Sequence, residues 1–125
     1  MVRATKLYGV KAILLLSLIA PMGDSSAATG FVAADVNEVL ISADNTWGGC
    51  MALLSVGPET QLASCAPRWV TFSCSGEFTD PARGYRMVDV AEHAFATGRP
   101  VKVWFTDDMR HNGYCFAHRI DISRE

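Results

Sequence analysis

Residues Asp80 to Gly98 form the one convincing helix signature beyond the N-terminal segment of the chain, and they fall between three strand-like runs before them and two after. Asp80 is a good N-cap and Pro81 suits the first helical position. Met87, Val90, Ala91, Ala94 and Phe95 then recur at spacings of three and four, which makes one helix face apolar. Gly98 stands where a left-handed C-terminal cap is wanted, and Pro100 forbids continuation. Gly84 predicts that regular helix begins only after it.

The strand-like runs are each bounded by turn chemistry. Phe31 to Ser42 alternates loosely through Val32, Val36, Val39 and Ile41, with a bulge expected near Asp35-Val36-Asn37, and it breaks at Asp44-Asn45. Gly48-Gly49 opens Cys50 to Val56, whose near-continuous apolar character fits burial on both sides or an oligomer contact, and Gly57-Pro58 stops it. A loop leads to Trp69 to Cys74, rich in β-branched and aromatic residues. After the helix come Val101 to Phe105 and Tyr114 to Ile122, with Asn112-Gly113 turning the chain just before the last run. The order β-β-β-α-β-β in about a hundred residues predicts a mainly β fold, a small five-stranded OB-fold barrel with one α-helix between strands three and four.

Residues 1–28 read as a cleaved signal peptide. Arg3, Lys6 and Lys11 come without an acidic neighbour, Val10 to Ala20 is almost wholly apolar, and Ser26-Ala27-Ala28 offers a small-residue cleavage site. The apolar stretch is shorter than the roughly 20 residues a helix needs to span a bilayer, and no longer one follows. The remaining single domain, 29–125, keeps 8 basic and 12 acidic residues, a net charge of −4. A mildly acidic domain is a poor ligand for phosphate backbones, so nucleic acid is not expected as a partner. Export implies a periplasmic or secreted location.

All four cysteines lie in the exported part, where two disulfides are the natural inference. In the proposed barrel, strand two runs antiparallel to strand three, and strand three lies parallel to strand five. Cys50, opening strand two, then sits beside Cys74 at the end of strand three, and Cys65, just before strand three, sits near Cys115 at the start of strand five. Joining Cys74 to Cys115 would link opposite ends of parallel strands, roughly 20 Å apart at about 3.3 Å per residue, and Cys50 to Cys65 fails in the same way. The expected bridges are Cys50–Cys74 and Cys65–Cys115. No C-x-x-C pair points to zinc.

Catalytic motifs are not found. There is no G-x-S-x-G, no H-E-x-x-H and no phosphate-cradling glycine loop. In Ser73-Cys74-Ser75-Gly76 nothing in the sequence activates either serine, and His93 and His118 read as structural. No enzyme, cofactor or resident metal is expected. Binding fits better, because OB barrels take ligands across strands two and three, between the loops that join strands one to two and four to five. Here those loops are Asp44 to Gly49 and Thr106 to Gly113, which makes Asp44, Asn45, Trp47, Asp108, Arg110, His111 and Asn112 the candidate ligand residues. A Trp flanked by Asp and Asn suits a sugar, whose ring stacks on the indole while its hydroxyls meet the polar groups. Trp69 and Trp104, inside strands, read as core or interface.

The segment from Cys65 to Ile122 carries Arg68-Trp69 opening a strand, Thr79-Asp80-Pro81-Ala82-Arg83-Gly84 entering the helix, Ala96-Thr97-Gly98-Arg99-Pro100-Val101-Lys102-Val103 leaving it, and Cys115 opening the last strand. In these motifs it resembles small secreted bacterial proteins described as subtilase-cytotoxin B-subunit-like. That family is similar to the B subunits of subtilase cytotoxin and typhoid toxin. The resemblance implies an OB fold, a homopentameric ring, cell-surface glycan ligands and a toxic A subunit as partner. Its motifs are structural, and no sugar-contact residue is carried over.

The leading expectation is therefore a secreted glycan-binding module without catalysis of its own. The alternative is a periplasmic or secreted protein-binding or inhibitor module. A third class, a metal-assisted hydrolase, would use His111 with Asp107, Asp108 and Asn112.

Overall fold

The computed structural model describes residues 26–124, together with Gly9. The expected leader therefore lies almost entirely outside the described residues, and no helix among them is long and apolar enough to cross a membrane. The elements are β1 (Thr29–Ala34), β2 (Val36–Ile41), β3 (Cys50–Leu54), a short 3₁₀ turn at Pro58–Thr60, β4 (Trp69–Thr71), α1 (Pro81–Thr97), β5 (Val101–His111) and β6 (Tyr114–Ile122). They make one six-stranded sheet in the order β1-β5-β6-β4-β3-β2, mixed because β4 pairs parallel with β6 through Thr71 and Phe116.

The fold is mainly β with one helix, as expected, but six strands replace the expected five and the sheet is not closed into a barrel. The extra strand arises where the first run divides. Asp35 separates β1 from β2, its N–H turned to Ser55 Oγ at 2.8 Å and its carbonyl accepting from Ser55 N at 2.9 Å. A register shift between Val36 and Glu38 follows, at the expected bulge. β1 then pairs antiparallel with β5 and β2 antiparallel with β3. Consecutive strands thus end up at opposite ends of the sheet order.

Two other boundaries moved. The third run ends as a strand at Thr71, because Ser73 takes φ 55°, outside the extended region, with its N–H turned back to Thr71 Oγ1 at 3.1 Å. The fourth run continues well past Phe105 to His111, so that Asp108, Arg110 and His111 are strand residues and the expected loop shrinks to Asn112-Gly113. That turn has φ 52° and 87° at its two residues, the positive pair a tight hairpin requires.

Helix α1 starts at Pro81, earlier than Gly84 implied, with Asp80 Oδ1 accepting from Ala82 N at 2.8 Å, and it ends at Gly98 with φ 66°. Its buried stripe is Gly84, Val88, Ala91 and Ala94; Phe95, read as part of the apolar face, is 55% exposed. The stripe is rotated because the helix approaches the chain too closely for large side chains. A Cβ on Gly84 would lie 3.0 Å from the Phe72 carbonyl oxygen and 3.1 Å from the Cys74 Cα. Beneath the helix the interior is built from Val32, Ala34 and Val36, from alternate β3 residues Cys50, Ala52 and Leu54, and from Val70, Phe72, Val103 and Phe105. Phe72 and Phe105 are its largest fully buried side chains, and removing either ring would cost about 3–5 kcal/mol.

The two bridges are Cys50–Cys74 and Cys65–Cys115, and no free cysteine remains among the described residues. The pairing follows the argument from strand direction, since β3–β4 is antiparallel and β4–β6 parallel.

Candidate functional site

The Asp44 to Gly49 loop is shaped by local hydrogen bonds. Asp44 Oδ1 accepts from Thr46 N at 3.1 Å, Gly48 N donates to Asn45 O at 3.1 Å, and Ser42 N closes the loop on Gly49 O at 2.8 Å. The Thr46 backbone N–H, with help from its hydroxyl, holds the Asp44 carboxyl below the usual carboxylate range. Asp44 therefore spends part of its acceptor capacity on shaping the loop.

This shape leaves the Trp47 side chain half-buried over the sheet face opposite the interior. Cys50, Ala52 and Leu54 face the core, so Met51 points the other way, opposite Leu40 on β2 and Thr71 on β4. Trp47, Leu40, Met51, Trp69 and Tyr114 enclose a cleft of about 170 Å³. Of the expected ligand residues, only Trp47 lines it. Trp69 and Tyr114 were missed because a strand pattern gives the period of a side chain but not which face a sheet covers.

His111 sits behind the Trp47 loop rather than in solvent. It is 6% exposed, its Nε2 lies 2.8 Å from Ser73 Oγ, and its Nδ1 lies 3.4 Å from Glu77 Oε2. Phe78 covers the ring at 4.3 Å between centroids, and Phe78 N donates to Ser73 Oγ at 3.2 Å. The Glu77 carboxylate can only accept, which favours the imidazole proton on Nδ1 toward it and leaves Nε2 to accept from the Ser73 hydroxyl. Burial pushes the His111 pKa down, and the Glu77 charge opposes this only in part. The contact between the two expected loops is made here, because Gly48 packs directly against the His111 ring and Thr71 Oγ1, while Thr71 Oγ1 donates to Trp47 O at 2.7 Å.

Serine, histidine and carboxylate in a line resemble a nucleophile with its base. Ser73 is fully buried, however, and its oxygen already accepts the Phe78 N–H. The line acts as a lock beneath the Trp47 loop. Neither Ser73 nor Glu77 was legible, because Ser73 owes its aim to a positive φ that sequence does not announce.

The other expected residues lie apart. Asp108 accepts from Thr106 Oγ1, Arg110 donates to the Ser64 carbonyl at 3.0 Å, and Asp107 accepts from Ala28 N and Ser64 Oγ. Asn45 and Asn112 are exposed at the two turns. His111, Asp107 and Asp108 are thus engaged with different protein partners, and among the described residues no group of three His, Cys, Asp or Glu side chains gathers around a common point. Trp104 makes a separate surface, stacked on Phe31 at 5.7 Å with the Arg119 guanidinium 4.2 Å above its ring. Comparison with family models, with curated proteins and with solved structures finds no match to this chain.

Proposed function

We propose that this chain is an exported carbohydrate-binding module, with the Trp47 cleft as its sugar site and no catalysis of its own. The observation that carries the reading is the cleft itself: two indoles and a phenol converge on a shallow pocket about the size of one sugar ring, beside a loop whose backbone is held by Thr71 Oγ1 at Trp47 O and by Ser75 N at Gly48 O, with the His111 ring packed against Gly48. Rigid aromatic walls bind a sugar ring at low entropic cost. Two disulfides fit an oxidising compartment, periplasmic or extracellular.

The OB-type barrel belongs to the same proposal. One chain segment, interrupted only by Asp35, supplies both end strands of the sheet order, as a long first strand shared between two neighbours would. In that frame the cleft lies on the face formed by strands two and three of the barrel, where OB folds take ligands. The resemblance to B-subunit-like proteins adds a homopentameric ring and a toxic A subunit. Exposed Phe31, Ile41, Val56, Tyr85 and Phe95 are the apolar surface a ring could cover.

The test is a glycan array with the exported protein, followed by titration of any ligand against intrinsic tryptophan fluorescence. Trp47→Ala is expected to weaken binding about tenfold or more while leaving the fold intact. Binding unchanged in that variant removes the mechanism. The second reading, a protein-binding or inhibitor module, is favoured by the Phe31–Trp104–Arg119 platform, which offers stacked aromatic rings under a guanidinium, residue types enriched at protein interfaces. An empty array together with one stoichiometric protein partner would select it.

A further inference from the structure

A second cleft, of about 500 Å³, lies away from Trp47, between the start of α1 and β6. Its volume falls within the roughly 300–1,000 Å³ of small-molecule sites. Phe78 and Phe116 form an aromatic floor, 5.7 Å between ring centroids, and Met87 adds an apolar wall. Arg83 and Arg86 project from the helix beside Met87, at the i, i+3 and i+4 spacing that places side chains on one face. His118 completes the rim. It is the extra residue where the β5–β6 register slips, since Trp104 pairs with Arg119 and Phe105 with Ala117, and such bulges re-aim side chains out of the sheet pattern.

The charge of this cleft runs against that of the chain. The whole sequence carries a formal net charge of −2, yet no acidic residue lines the cleft. The ion pairs among the described residues are His111–Glu77 and Arg119–Asp121, and neither includes Arg83 or Arg86. Asp80 and Asp89 stand at helical spacing from them without pairing; the Asp80 carboxylate caps the helix instead. Like charges at i, i+3 repel one another, and a bound anion relieves that repulsion while forming forked hydrogen bonds to the guanidinium groups.

We propose that this cleft is a binding site for a small molecule carrying one anionic group, a phosphate or carboxylate, on an apolar ring: the anion between Arg83 and Arg86, the ring on Phe78 and Phe116. His118 is placed to add a further hydrogen bond. The site shares no lining residue with the Trp47 cleft, and the variants that test it leave Trp47 and Phe78 untouched.

The experiment is titration of the oxidised exported protein with phenyl phosphate, followed by amide and imidazole NMR shifts. Saturable shifts at Phe78, Thr79, Phe116 and His118 are expected, with inorganic phosphate binding more weakly and benzyl alcohol not at all. Arg83→Gln with Arg86→Gln is expected to lower affinity at least about tenfold with an unchanged thermal melt, since both side chains are solvent-exposed. Lys102→Gln, an exposed charge on β5, is expected to bind as the native chain does. No saturable shift, equal binding of benzyl alcohol, or affinity unchanged in the double variant overturns the proposal. Sedimentation with anionic phospholipid vesicles but no binding of phenyl phosphate overturns it as well, and assigns the arginines to a lipid surface.

Discussion

Gly48→Ala tests the coupling between the Trp47 loop and the His111 lock. Two costs meet at this position. Gly48 has φ 78°, and a left-handed conformation costs an alanine about 1–2 kcal/mol. The new Cβ would also lie 2.5 Å from His111 Cδ2, 2.6 Å from Thr71 Oγ1 and 2.8 Å from His111 Nε2, so ring and hydroxyl must both give way. Overpacking of that kind costs about 1–3 kcal/mol. Gly49→Ala supplies the control. Gly49 has φ 82°, but its Cβ would meet nothing nearer than 3.6 Å, so that variant carries the conformational cost alone. The difference between the two neighbours is then the steric contribution, about 1–3 kcal/mol, or roughly 4 °C or more in Tm for a domain of this size. Urea denaturation followed by tryptophan fluorescence measures it, and the same Gly48→Ala protein should bind any Trp47-dependent ligand less well. Equal destabilisation in both variants would refute the idea that His111 and Thr71 clamp the loop.

His111 makes stability depend on acid. Burial lowers its folded-state pKa beneath the ordinary value of about 6.5, so the unfolded chain binds its proton more readily. The resulting stability is fully present above about pH 6.5 and is lost as pH falls through the lowered value. His111→Gln is expected to flatten the urea midpoint across that window; an unchanged pH profile would show that the ring is not held neutral. Removing the bridges separately as serine pairs is expected to cost about 3 kcal/mol for Cys50–Cys74 and about 4 kcal/mol for Cys65–Cys115, because they close loops of 24 and 50 residues. Thermal melts of the two double variants check that order.

The helix, the last strand and the Asn112-Gly113 turn were readable because each is announced locally, by Asp80-Pro81, by Gly98 and by a residue pair suited to positive φ. The disulfide pairing was readable because strand direction alone excluded the other pairings. The division of the first run at Asp35 was not, since it depends on hydrogen bonds to Ser55, twenty residues away. Phe95 misled because periodicity weighs hydrophobicity, whereas closeness to Phe72 and Cys74 selected the small face of Gly84, Ala91 and Ala94. At the candidate site, Trp47 was found by composition, but its neighbours Trp69 and Tyr114 come together only through sheet order. His111 was singled out as a loop residue and proved to be a buried one. Nothing in Ser73-Cys74-Ser75-Gly76 foretold the hydroxyl beneath it.

The cysteine spacing has a consequence for how the chain matures. The native partners lie 24 and 50 residues apart, whereas Cys65 and Cys74 lie only 9 apart. Loop-closure entropy favours the short wrong ring over the longer native one by about 1.5 kcal/mol in an unfolded chain, so random oxidation gives the wrong isomer first. Thiolate attack must then reshuffle it. A newly made chain therefore reaches this sheet fastest where a disulfide isomerase meets it, and an expression host without one would accumulate scrambled product.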